Sequence, residues 1–85
     1  MKVHIEDNIY LESDERQFII KKYTGSINKQ TNQEVFVPLG YYSQLESVVK
    51  ALVRMKIRQS SATTFEELIQ DLKRIEEWIK SKIDY

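Results

Sequence analysis

The chain has 85 residues, enough for one hydrophobic core without disulfide or metal staples and too few for two. Hydrophobic residues make up 41% and charged residues 31%, the balance of a globular, water-soluble chain and not of a disordered one. Thirteen Lys and Arg against 13 Asp and Glu give zero formal charge, which argues against a polyanion mimic and against a generally basic nucleic-acid coat. No cysteine is present, so a disulfide frame, a thiol nucleophile and a thiolate-held zinc are all out, and a reducing compartment fits. No apolar run exceeds three residues, and Met1-Lys2-Val3-His4-Ile5-Glu6 lacks the apolar stretch of a secretion signal. A cytoplasmic α+β domain without membrane contact is expected.

In chain order, residues 1–42 carry short runs rich in β-branched and aromatic residues. Val3–Ile5 is an optional first strand, turned by Asp7-Asn8. Three runs follow as an antiparallel meander: Ile9–Glu12, Gln17–Tyr23 and Glu34–Val37. Ser13-Asp14-Glu15 makes a tight turn, and Thr24 to Asn32 a longer loop. Pro38 has no N–H to donate, so the last strand ends there or lies at an edge.

Residues 43–85 change period and read as a helical hairpin. Ser43 and Glu46 have the spacing of a capping box, followed by Leu45, Val48, Val49, Leu52 and Val53 on one face. Ser60 to Thr63 connects. Thr64 and Glu67 form a second box, and Phe65, Leu68, Ile69, Leu72, Ile75, Ile79 and Ile83 mark an amphipathic helix of about five turns. The short connector makes the helices antiparallel neighbours, packed on one face of the three- or four-stranded sheet.

Catalytic chemistry is scarce. His4 is the only histidine and lies near a terminus, where a surface role is far commoner than acid–base work. Glu66 and Glu67 belong to a helix N-terminus, and Glu76 and Glu77 pair with Lys80 one turn on. Gly25 and Gly40 belong to no phosphate-binding loop. No enzyme, cofactor or metal site is expected.

Three patterns point to binding. Lys50, Arg54 and Arg58 fall at i, i+4 and i+8 and could meet phosphates, although a solvated helix face explains them more simply. Along the strands, alternation gives Tyr10, Tyr23 and Phe36 to faces whose partners are also apolar, so covering one face leaves large side chains on the other. The stripe of the second helix is too short for a coiled coil, so it is expected to pack within the domain. Trp78 lies off it and, with Ile79 and Ile83, offers a homodimer contact.

The stretches Leu11-Glu12-Ser13-Asp14, Phe18-Ile19-Ile20, Gly40-Tyr41-Tyr42-Ser43-Gln44-Leu45-Glu46 and Lys56 through Leu68 resemble a group of small proteins of unassigned function encoded by tailed phages and prophages. That likeness covers almost the whole chain and is sharpest at the Gly-Tyr-Tyr before the capped helix. It implies an accessory role inside a bacterial host cell and carries over no active site. Strands, an extended hairpin loop, Gly, an aromatic and a capped helix are also similar to the arm-binding domains of phage-type integrases, which enter the DNA major groove with a basic sheet. Here the sheet offers Arg16, Lys21, Lys22 and Lys29, offset by Glu12, Asp14, Glu15 and Glu34.

The expectation from sequence is a non-enzymatic phage accessory protein that binds a host or phage protein, either inhibiting host defence or host machinery or assisting recombination or replication. Its contact residues would be Tyr10, Tyr23, Phe36 and Trp78. The alternative is a small nucleic-acid-binding protein using Lys50, Arg54 and Arg58.

Overall fold

A computed structural model describes residues 1–83. The chain is α+β: strands β1 (Lys2–Glu6), β2 (Ile9–Ser13), β3 (Phe18–Ile27) and β4 (Glu34–Tyr42), then helices α1 (Leu45–Ile57) and α2 (Phe65–Lys82). The strands form one antiparallel sheet in the order β1-β2-β3-β4, so the optional first strand is present and the meander has four members. Two compact units result, Met1–Gln44 and a second beginning at Leu45, close to the change of period in the sequence. Residues 84 and 85, the end of the expected hairpin, lie outside the described residues. Among the described residues no helix is long and apolar enough to cross a membrane.

Short polar side chains close the sheet's turns. Asp7, at φ +47°, reverses the chain between β1 and β2, beside an irregularity between His4 and Glu6 that leaves Ile5 as the extra residue. Asp14 Oδ1 accepts from the N–H groups of Arg16 and Gln17, both at 2.8 Å, and these bonds hold its carboxyl below the usual range. The third strand runs to Ile27, four residues beyond the expected end at Tyr23. Thr24-Gly25-Ser26 reads as a turn by composition, yet the ladder absorbs it as an irregularity, with Gly25 at φ +87° supplying the left-handed step. The tip is closed by Asn28, whose Oδ1 accepts from Gln30 N–H at 2.9 Å.

The last strand also continues past Pro38, and the backbone explains how. Tyr23 N–H donates to the Asn8 carbonyl at 2.9 Å, so Tyr23 and, two residues back, Lys21 direct their backbone groups toward β2. Pro38 is opposite Lys21, so its nitrogen faces the open edge of the sheet and no ladder bond is lost. Four residues on, the Tyr42 ring lies across Gly40, where a Cβ would fall 2.6 Å from Tyr42 Cζ. Ile5, Leu11 and Ile20 are the buried residues of the sheet unit, and Leu11 and Ile20 are direct cross-strand partners.

In the helical unit, Val48 and Leu52 are buried on α1, and Ile79 is buried on α2 with Ile83 just beyond it, all on the expected stripes. The N-cap of α2 is Thr64, whose hydroxyl accepts from Glu67 N–H at 3.2 Å. The Glu67 carboxylate reaches back one residue further than a capping box requires and accepts from Thr63 N–H at 3.0 Å. Ser60 meets Asp71 at 2.5 Å and Lys56 lies over Trp78, so contacts run to higher numbers on α2 as they run to lower numbers on α1: the helices are antiparallel. This geometry corrects the expectation that the whole α2 stripe packs internally. The first turns of α2 lie before the crossing at Asp71 and overhang, leaving Phe65 72% and Leu68 38% exposed.

Candidate functional site

Alternation along the strands and the observed register bring Tyr10, Tyr23 and Phe36 onto one face of the sheet. His4 is the direct partner of Tyr10, and Tyr23 of Phe36, while Tyr10 pairs with Lys21, two residues before Tyr23. A ladder of rings therefore crosses all four strands. Its centroid separations are 4.9 Å from His4 to Tyr10, 5.5 Å from Tyr10 to Tyr23 and 5.9 Å from Tyr23 to Phe36, the last two edge-to-face. Leu11 and Ile20 belong to the opposite face. Tilted and edge-to-face pairs of this kind contribute about 0.5–1.5 kcal/mol each beyond their buried area.

Charged side chains fix the ladder in place. Lys2 Nζ lies 5.0 Å from the Tyr10 centroid and 4.7 Å from that of Tyr23, and Lys21 Nζ lies 4.2 Å from Phe36. Tyr23 donates its phenolic proton to the Glu12 carboxylate, which also takes Lys21 Nζ at 3.4 Å. His4 Nε2 donates to the Asp7 carbonyl at 2.7 Å, which fixes that tautomer, since a carbonyl can only accept. Phe36 is 38% exposed and Tyr10 and Tyr23 are half-buried, so the rings are anchored at the sheet yet reachable.

Two titrations record this network. Partial burial pushes the Glu12 carboxyl up, but the Tyr23 and Lys21 hydrogen bonds and the charges of Lys21 and Lys2 outweigh it, and the net shift is downward. Tyr23 moves the other way: its hydrogen bond to Glu12, and then partial burial, raise the phenol to about 12. Because the fold favours the protonated phenol, this bond's contribution is complete below pH 10 and is lost as pH rises toward 12. In an alkaline absorbance titration of the five tyrosines, one is expected to ionise only near pH 12, and Tyr23→Phe is expected to remove that late step. Ionisation of every tyrosine together near 10 would break the assignment.

The other residues singled out in the sequence lie elsewhere. Trp78 belongs to the helical unit, half-buried under Lys56 Nζ at 4.9 Å. It lines a cavity of about 350 Å³ with Ser60, Asp71, Arg74 and Ile75. The Asp71 carboxylate there is taken by Ser60 and Arg74. Lys50, Arg54 and Arg58 are all exposed, the first two on α1 and the third one residue past its end, where Arg58 N–H still bonds to Arg54 O. Among the described residues no group of three or more His, Cys, Asp or Glu is placed to hold a metal ion.

Sequence reasoning missed the polar members of the ladder, Lys2, His4, Glu12 and Lys21. The usable signal was parity: once Lys2–Glu6 is taken as a strand, Lys2 and His4 share a face, and pairing against Tyr10 and Glu12 puts all four together. No protein-family model, no curated protein and no solved structure matches this chain.

Proposed function

We propose that this chain is a non-enzymatic binding protein that docks onto another protein through the sheet face carrying Tyr10, Tyr23 and Phe36. One observation carries this reading: three of the four aromatic residues singled out from sequence, all but Trp78, lie in a chain of ring-to-ring contacts on one accessible face. Protein interfaces draw most of their affinity from a few such anchors, and rings already held by their neighbours lose little freedom on binding. The mode of action is occlusion, with a rigid sheet blocking a partner's surface. Resemblance to small phage-encoded proteins supplies the setting, an accessory protein acting in the bacterial cytoplasm on a host or phage protein.

The second reading is nucleic-acid binding through Lys50, Arg54 and Arg58, favoured by their exposure along one helix face. Alanine at Tyr10 and Phe36 is the test. The double variant is expected to keep its fold and to bind its partner about 30-fold more weakly or worse. A folded variant with unchanged partner affinity removes the reading.

A further inference from the structure

Beside the ladder, Tyr10 and Tyr23 stand at 80° to each other and form two walls of a corner. The hollow they bound is rimmed by Asp7, Asn8, Thr24 and Glu34. Its occupant is a cation from the chain itself: Lys2 Nζ sits 5.0 Å and 4.7 Å from the two ring centroids, within the range in which a ring's quadrupole attracts positive charge. The rim carries two carboxylates, Asp7 and Glu34, and neither is ion-paired among the described residues. One ammonium therefore stands among two aromatic faces and two unneutralised acids. Lys2 is exposed, on an edge strand, at the end of a long flexible stem, so it is held weakly enough to be exchanged.

We infer that this corner is a binding site for a basic side chain of the docked protein, and that Lys2 is its resident occupant, displaced when the partner's cation enters. The inference rests on the docking role of the ladder and specifies the partner's chemistry: a segment presenting a lysine, a methylated lysine or an arginine to the Tyr10–Tyr23 corner. An anionic partner has the wrong sign for it, since Asp7 and Glu34 would repel the incoming group once Lys2 left.

The test uses the full chain and choline as a compact quaternary ammonium, with 3,3-dimethyl-1-butanol as its uncharged isostere. Tyrosine ring resonances are followed in the wild-type chain and in Lys2→Ser, Lys2→Ser/Glu34→Gln and Lys2→Ser/Tyr23→Leu. Removing the resident cation frees the site, so choline is expected to bind Lys2→Ser about tenfold more tightly than wild type. Glu34→Gln is expected to weaken this severalfold and Tyr23→Leu to abolish it, while the alcohol gives no saturable shift. Glu34 is exposed, so its variant keeps the test decisive should Tyr23→Leu fail to fold. Absence of saturable choline binding in Lys2→Ser, or an equal response to the alcohol, overturns the cation site. Either result leaves the docking face to be judged by partner affinity in the Tyr10 and Phe36 variants.

Discussion

Leu11→Ala is expected to lower stability by about 2–5 kcal/mol, enough to unfold a large fraction of a marginally stable chain. Leu11 has no exposed surface and faces Ile20 directly across the β2–β3 ladder, with Ile5 buried in the same unit. Truncation leaves a cavity on the buried face of the sheet, and because the register of β2 is fixed on both sides the backbone has little freedom to close it. A urea titration followed by circular dichroism reads the loss directly. A midpoint within error of wild type would mean that Leu11 is not part of the core.

Tyr23→Ala follows with an expected loss of about 2–3 kcal/mol, against about 1 kcal/mol for Tyr23→Phe. The two variants separate the ring from its hydroxyl. Alanine removes the edge-to-face contacts with Tyr10 and Phe36 and one perch of Lys2, and it deprives Glu12 of its phenolic donor. Phenylalanine keeps the ladder and removes only the bond to Glu12, whose second partner Lys21 remains at 3.4 Å. Equal effects of the two substitutions would place the stability in the hydroxyl and strip the ladder of its structural role.

Periodicity carried the larger features of this molecule. Ile9, Leu11 and Ile20 alternate with Tyr10, Ile19 and Lys21, which is enough to assign strands, while only the structure shows that Leu11 and Ile20 belong to the buried face and Tyr10 and Tyr23 to the other. Likewise, Val48 and Leu52 on one helix and Ile79 on the other were visible as stripes. What escaped depended on relations between distant residues. Thr24-Gly25-Ser26 has turn composition, yet its place between two paired strands turns it into a bulge. Pro38 allowed either a strand end or an edge strand, and the edge alternative holds because register against Lys21 turns its nitrogen to the open side. Phe65 carries the right spacing for a core residue and is exposed because Ser60 meets the helix at Asp71. The ladder's ring contacts and its lysines were likewise matters of register, since one slip of pairing would have moved Phe36 to the opposite face.

The central claim is that the aromatic face docks a protein, and one comparison tests it most directly. Wild-type chain, Tyr10→Ala/Phe36→Ala and Lys50→Gln/Arg54→Gln/Arg58→Gln, each verified as folded, are immobilised and exposed to a bacterial lysate. The protein retained by the wild-type chain is then purified and its affinity for all three measured. The predicted result is a loss of about 30-fold or more for the ladder variant and wild-type affinity for the basic-stripe variant. Full affinity in the ladder variant, with loss confined to the basic-stripe variant, would contradict the account and move function to the exposed face of α1.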